Sequence, residues 1–172
     1  MVARREGESQ RTTVQKKSER EVVVTRTFDA PARLVFEAWS KPELFEKWWV
    51  PRSMGMTHRS CELDVRTGGR YRLLFGDDPA NPMAFFGKYL EVVPNKRIVW
   101  TNEESGDAGS VTTLTFEERD GKTLLVMSEL YPTKEALDAA GTGAQEAMNE
   151  TFGQLDELLA EQSTMTERLP SD

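Results

Sequence analysis

This sequence has little of the chemistry that most catalytic and metal sites require. Its 172 residues include one cysteine, Cys61, and one histidine, His58. A single cysteine excludes an internal disulfide and suits a reducing compartment. A zinc site on this pair would need carboxylates from elsewhere, and a cysteine–histidine nucleophile would need an orienting third group. With no nucleotide fingerprint or clustered acidic motif either, we expect no metal and no cofactor, and we favour a non-enzymatic role.

Long apolar runs are also absent. No stretch approaches the ~20 apolar residues of a membrane-spanning helix. No apolar stretch follows the basic residues at the N-terminus, as a secretory signal would require. The net charge is −7, and the acidic excess lies outside the first twenty residues. The acidic part of the chain that follows residue 20 would repel nucleic acid and anionic membranes. We therefore expect a cytoplasmic protein that binds neither.

The chain divides into a central domain and two polar ends. Residues 1–19 are polar and rich in basic side chains, without a helical or strand period, and predict a disordered basic tail. Residues 20–162 suffice for one domain with a substantial core. Residues 163–172 are again polar and predict a loose C-terminal tail.

The domain begins with a strand and two short helices. Apolar residues alternate from Val22 to Phe28, which is the period of a strand. The next two segments have apolar residues at helical spacing, and each has a proline, Pro31 and Pro42, in its first turn. Pro51 ends the second helix. Helices separated so sharply cannot be collinear, and we expect a bent pair across one end of a sheet.

Six further strands and a long helix follow. Alternation and turn residues between positions 61 and 130 predict six antiparallel strands, and the Gly68-Gly69 pair predicts a two-residue hairpin turn. Over residues 143–161 apolar side chains recur at helical spacing. Gly153 lies inside this helix at a cost of about 1 kcal/mol relative to alanine, which predicts that another group approaches closely there.

This order of elements predicts an α+β fold in which a curved antiparallel sheet of about seven strands wraps around the C-terminal helix. Only that helix is long enough to cover the apolar face of the sheet. A strongly twisted sheet around one helix often leaves its concavity unfilled. We therefore expect a cavity between the sheet and the helix over residues 143–161.

Several short motifs fall in order along the domain, namely Phe28-x-Ala30-Pro31, Trp48-Trp49-x-Pro51, Asp64-x-Arg66-x-Gly68-Gly69-x-Tyr71-Arg72, Gly87-x-Tyr89-x-Glu91-Val92-x-Pro94 and Gly143-x-x-Glu146-x-Met148. Through them, residues 21–161 resemble the homologues of the heat-shock-protein-90 ATPase activator, in the START-like (SRPBCC) superfamily. The resemblance implies the helix-grip fold and a deep hydrophobic cavity. In different members this cavity serves lipid or polyketide binding, cyclisation, resistance or co-chaperone roles.

Strand parity and helical spacing place aromatic, methionine and polar residues on the surfaces that should converge on the cavity. The predicted walls are Trp48, Trp49, Tyr71, Phe75, Phe86, Tyr89, Trp100, Met127, Met148 and Phe152, with Asn102 and Glu129 as polar anchors. Near these two anchors the family commonly has a tryptophan and a histidine. Adjacent helical residues point about 100° apart, so at most one of the paired tryptophans can lie squarely on the core face. Either both are packed aromatics, or one lines the cavity.

Three functions are compatible with these residues. The first is binding of a small hydrophobic molecule in the cavity. The second, implied by the resemblance, is an interaction module that contacts a chaperone. The third is a cyclase- or dehydratase-type enzyme in which a buried Glu129, its pKa raised by desolvation, acts with Asn102 or Tyr89. Glu129 could equally lie in solvent or pair with an arginine, and the sequence leaves a homodimer open.

Overall fold

The computed structural model describes residues 12–55, 58–78, 80–103 and 109–168, with the backbone alone at residues 54, 58, 59, 144 and 163–168. The described residues form eight strands: β1 Thr13–Lys16, β2 Glu21–Phe28, β3 His58–Leu63, β4 Arg70–Phe75, β5 Met83–Val93, β6 Arg97–Thr101, β7 Val111–Arg119 and β8 Lys122–Leu130. They also form four α-helices: α1 Ala32–Ser40, α2 Pro42–Trp48, α3 Lys134–Ala140 and α4 Gly143–Arg168. A 3-10 helix, Arg52–Met54, follows α2.

The strands make one curved antiparallel sheet in the order β1-β2-β8-β7-β6-β5-β4-β3. Helices α1 and α2 contact each other and the long helix α4, and α1 also packs on β7 while α2 packs on β3. The apolar sides of these elements share one core. The predicted α+β class and helix-grip arrangement are confirmed, with eight strands instead of about seven.

The additional strand is β1. The prediction of a disordered tail over residues 1–19 is therefore wrong at residues 13–16, which form this strand. Residues 13–16 pair antiparallel with β2, with Val14 opposite Val24. The segment is almost wholly polar, so it has no apolar period of its own. It forms a strand because β2 offers it an open edge and because Val14 packs against a small cluster with Val22, Tyr131 and Leu137. Residues 1–11 lie outside the described part.

Strand β2 shows how the inner face of the sheet is filled. Its alternate residues, including Val24 and Phe28, are buried, as the period of two predicts. Arg26 occupies one of these inward positions, and its guanidinium pairs with Asp156 of α4. Burial raises the pKa of Asp156 above its ordinary value, although the Arg26 charge opposes this shift. This pair joins the first long strand to the C-terminal helix inside the core.

Three local predictions are wrong. The β3–β4 hairpin turns through residues 64–69 instead of two glycines, because the Gly68 N–H donates to the Tyr89 carbonyl at 2.9 Å and ties the loop to β5. At Gly153 no atom lies within 4 Å of the place a Cβ would take, so no close approach explains this glycine. Helix α4 continues to Arg168, beyond the residue at which a loose tail was expected to begin. Residues 169–172 lie outside the described part.

Candidate functional site

An apolar cavity lies between the bent helix pair α1–α2 and strands β3 to β6. It opens to solvent and has a volume of about 70 Å³. None of the described side chains of α4 lines it. The walls are Trp39, Phe45, Trp49, Leu63, Tyr71, Leu73, Phe85, Tyr89, Ile98, Trp100 and Asn102.

The two tryptophans at the end of α2 have different environments. Trp48 is fully buried, and its Nε1–H donates to the Ala38 carbonyl at 3.0 Å. Trp49 is half-buried, lines the cavity and stacks on Phe45, with ring centroids 4.9 Å apart. One tryptophan therefore closes the core between α1 and α2, and its neighbour forms a wall of the cavity.

Helix α4 fixes this segment through a buried amide. Gln154 Nε2 donates to the carbonyl oxygens of Trp48 and Val50, at 2.9 and 3.0 Å. Its Oε1 accepts the backbone N–H of Arg52 at 2.9 Å. One side chain thus satisfies three backbone groups at the helix end, where no helical partner exists for them. The long helix does not line the cavity, but it holds the element that does.

Trp39 is the centre of the aromatic cluster behind the cavity. Its ring lies 4.7 Å from that of Trp48 and 5.7 Å from that of Trp100, between centroids. The side chain is 4 % exposed. Its Nε1–H has no hydrogen-bond partner among the described residues. Buried donors are nearly always paired, so this N–H, which has almost no accessible surface, is an exception in the core.

A polar corner closes the cavity at β6. The Tyr71 hydroxyl donates to the Thr101 carbonyl at 2.7 Å and lies 3.3 Å from Asn102 Oδ1. Asn102 Nδ2 in turn donates to Thr112 Oγ1 at 2.9 Å and to Ser110 Oγ at 3.1 Å. The amide is therefore engaged on both sides by the protein. It serves as part of the wall and has little hydrogen-bonding capacity left for a ligand.

The other predicted anchor, Glu129, does not line the cavity. It accepts a hydrogen bond from Ser110 Oγ at 3.1 Å and is also bonded to Tyr131. Tyr131 is bonded as well to the buried Gln145 of α4, and burial raises the pKa of Tyr131 to about 12. Glu129 thus belongs to a polar chain between the sheet and the start of α4. It does not reach the space in which a substrate would lie.

Several predicted walls lie elsewhere. Phe86 is 39 % exposed on the opposite face of the sheet, so its prediction as a cavity wall is wrong. It lies one residue out of phase with Phe85, which does line the cavity. Phe75 stacks on Phe85 at 5.1 Å without lining the space. The remaining three, Met127 of β8 and Met148 and Phe152 of α4, are buried in the hydrophobic core.

The cavity was expected between the sheet and α4, and this location is wrong. The apolar stripe of α4, including Phe152, Leu155 and Leu159, packs fully into the core. The space remains instead under α1 and α2, which are short and cover only part of the sheet. Trp39 of α1 and Phe45 of α2 line this space but were not among the predicted walls, and neither were Leu63, Leu73, Phe85 and Ile98. The strand residues among them could have been predicted, because alternate residues of a strand face the same side of the sheet and theirs is the side of Tyr71, Tyr89 and Trp100.

The cavity is uncharged, and its environment keeps nearby acids neutral. None of its lining residues is ionised near neutral pH. Burial raises the pKa of Tyr89 far above its ordinary value, and it raises the pKa of the half-buried Cys61 beside the site to about 12.

Among the described residues no group of three metal-binding side chains comes together, and no helix has the length and apolarity to cross a membrane.

Solved structures share this fold. A Rhodobacter sphaeroides protein is 24 % identical over 87 % of this chain and 98 % of its own, with a TM-score of 0.77. A Nitrosomonas europaea protein is 25 % identical over 87 % of this chain and 99 % of its own, with a TM-score of 0.74. A Staphylococcus epidermidis protein is 28 % identical over 93 % and 97 %, with a TM-score of 0.66. Because the Rhodobacter sphaeroides protein is only 24 % identical to this chain, its similarity shows a shared fold and nothing more.

Among curated proteins, no sequence matches this chain. The family model of the activator of Hsp90 ATPase homolog 1-like proteins matches residues 29–160, from just after β2 to about two thirds of the way along α4. This range contains both helices and all the strands that border the cavity. The chain belongs to the family of activator of Hsp90 ATPase homolog 1-like proteins.

Proposed function

We propose that this protein binds a small apolar molecule in the cavity under α1 and α2. The observation that carries the proposal is an open, uncharged concavity with aromatic walls beside the hydrophobic core. Binding sites for small molecules are typically concave and largely apolar, with a few polar groups. We place this role in the cytoplasm, as the composition predicts.

The size of the cavity limits how the molecule is held. The cavity, about 70 Å³, is roughly half of the ~150 Å³ at which an apolar cavity binds benzene. Because the cavity opens to solvent, a ligand places a small group inside it and extends out through the mouth, beside the half-buried Trp49.

A matched pair of variants tests the site. Leu63 lines the cavity from the edge strand β3, so Leu63→Phe adds volume where a ligand would lie. Leu90→Phe makes the same change at an exposed position of β5. With α-methylstyrene as the probe, calorimetry should show at least about tenfold weaker binding for the first variant and unchanged binding for the second. Equal affinities, with both variants folded, would place the binding elsewhere.

A natural ligand can be sought directly in the purified protein. Native mass spectrometry of the protein purified from its own host should show a retained small molecule. That mass should be absent from protein that carries Leu63→Phe. A retained molecule that is unaffected by the variant would argue against this cavity as its site.

A chaperone contact is a second candidate, and a surface feature favours it. On the sheet face away from the cavity, strand β5 exposes the large apolar side chains of Phe86 and Leu90. Exposed apolar residues that share one face are a common feature of protein-binding surfaces. The family description includes activation of the Hsp90 ATPase. The test is stimulation of an Hsp90-type ATPase by this protein, with loss of stimulation in Phe86→Ser. No stimulation by the unaltered protein would remove this candidate.

A further inference from the structure

The outer face of the sheet, on the side away from the cavity, has three cations around an exposed phenylalanine. Arg70 and Arg72 of β4 and Lys88 of β5 are exposed, and Phe86 is 39 % exposed. The register places Arg72 opposite Phe86 and Arg70 opposite Lys88. All four alternate with buried residues of the inner face, so their side chains share the outer face. We call these four residues the outer patch.

The protein does not neutralise the cations of the outer patch. None of the three makes an ion pair with any described residue. Four other exposed arginines each pair with a carboxylate, namely Arg52, Arg66, Arg97 and Arg119. Glu62 of β3 is opposite Arg72 in the register but forms no ion pair with it. The Glu103 carboxylate, on the β6 side of Phe86, accepts the Thr101 hydroxyl. The positive charge therefore lies on the β4 side of the ring.

The outer patch borders an open concavity of about 450 Å³. Arg70, Arg72 and Phe86 are among its walls. Tyr71 and Gly87, which are paired between β4 and β5, lie between these side chains and form its floor. A guanidinium group is a planar fork of donors that matches a carboxylate. Two such forks beside an aromatic ring suit an acidic group that adjoins an apolar one.

The extent and the charge of this surface favour a polypeptide as the partner. Leu90, 45 % exposed, continues the row of Phe86 and Lys88 on the same face. From Phe86 to Leu90 the strand advances about 13 Å, which a short extended segment would span. The chain has a net charge of −7, so a nucleic acid or an anionic membrane would meet repulsion around the three cations. A short acidic segment would contact the cations alone.

We propose that the outer patch is a docking surface for an acidic polypeptide segment of a partner protein. An aromatic side chain of that segment packs on Phe86, and its flanking carboxylates pair with Arg70 and Arg72. This surface and the cavity lie on opposite sides of the sheet, so the inference goes beyond the small molecule proposed for the cavity and does not depend on it. It also adds the chemistry of the partner to the surface considered above for a chaperone contact.

Four matched peptides with blocked ends test the inference on the full chain. EEFEE has a phenylalanine between two pairs of glutamates, QQFQQ lacks the charges, EEAEE lacks the ring, and KKFKK reverses the charges. At about 50 mM salt EEFEE should bind at least about fivefold more tightly than QQFQQ, the scale of exposed ion pairs. It should also bind more tightly than EEAEE, and KKFKK should bind most weakly.

The position of the peptide can be read in ¹H–¹⁵N spectra. EEFEE should shift the backbone amide resonances of Arg72 and Phe86. The indole resonance of Trp49, which lines the cavity on the other side of the sheet, should stay in place. A shift at Trp49 without one at Arg72 would place the peptide in the cavity and overturn the inference.

Two arginine variants with the same change of net charge are compared next. Arg72→Glu should weaken the binding of EEFEE at least about fivefold. Arg33→Glu changes an exposed arginine of α1, on the other side of the sheet, and should weaken it less than about twofold. In Phe86→Ala the advantage of EEFEE over EEAEE should disappear. Phe86 is exposed, so this variant should fold normally.

The remaining outcomes decide against the inference. Equal binding of EEFEE and QQFQQ, or equal losses in the two arginine variants, would show that the outer patch does not select an acidic segment. Binding of phosphatidylserine vesicles through Arg72, without binding of EEFEE, would assign the surface to a membrane instead. The binding of α-methylstyrene in the cavity should be the same in all these variants, so either proposal can fail without the other.

Discussion

The Tyr71 hydroxyl reaches across strand β5 to the Thr101 carbonyl of β6, at 2.7 Å. It can do so because the residue opposite Tyr71 on the intervening strand is Gly87. A Cβ at Gly87 would lie 2.0 Å from the Thr101 carbonyl oxygen. Because Gly87 has no side chain, the Tyr71 hydroxyl can bond to the Thr101 carbonyl across β5. This bond holds the polar corner of the cavity.

Gly87→Ala should therefore destabilise the protein. The added methyl group meets a backbone atom that cannot move without separating β5 from β6. We expect a loss of about 1–3 kcal/mol in the free energy of unfolding, the usual cost of overpacking. Urea unfolding followed by circular dichroism measures it. A change within about 0.3 kcal/mol would show that the two strands part easily at this point.

Gly153→Ala should have the opposite effect. No atom lies within 4 Å of the added Cβ, and the residue is inside helix α4. Alanine is favoured over glycine in a helix by about 1 kcal/mol, so the free energy of unfolding should rise by up to that amount. The midpoint of thermal unfolding gives the sign directly. A lower midpoint would mean that the space beside this glycine is needed.

Gln154→Leu should both destabilise the fold and loosen the cavity. It leaves the carbonyls of Trp48 and Val50 and the Arg52 N–H without their partner. We expect a loss of about 2 kcal/mol or more, and a changed near-ultraviolet circular dichroism signal from the tryptophans. Glu157→Gln is the control. It weakens only the exposed ion pair with Arg52 and should leave the free energy of unfolding nearly unchanged. Similar losses in both variants would contradict the role given to the buried amide.

Cys61 should be unreactive in the native state. Burial, followed by the negative charges of Glu46 and Glu43, raises its pKa to about 12. The neutral thiol is therefore favoured in the folded chain. Alkylation by iodoacetamide at pH 8.5 should be at least about tenfold slower in the native protein than in urea, because only the thiolate reacts.

The same pKa shift gives a pH dependence of stability. Because the pKa of the folded state is above that of the unfolded chain, the stabilisation is fully present below about pH 8.5 and is lost as the pH rises towards 12. Cys61→Ser should remove this part of the decline between pH 8.5 and 12. Identical slopes for the two proteins would show that the thiol makes no such contribution.

The fold was predictable because its main signals are local. Alternation in β2, the prolines that begin α2 and end the helix pair, and the stripe of α4 each follow from the geometry of a single element. Strand β1 was missed because its polar residues have no period and pair only through the edge of β2. Of the predicted walls and anchors, Trp49, Tyr71, Tyr89, Trp100 and Asn102 line the cavity, and their role in binding a ligand stays a prediction.

By itself, the sequence determined the apolar sides of most strands and helices, and hence the fold class, and its short motifs indicated the family. Only the tertiary structure decided where packing is incomplete. Phe152 of α4 is fully buried in the core. Trp39 instead lies beside a space under α1 and α2, and its Nε1–H is unpaired among the described residues. Periodicity along a chain tells which side of an element is apolar. Whether the opposing side chains fill the space between elements depends on volumes and hydrogen bonds contributed by distant parts of the sequence.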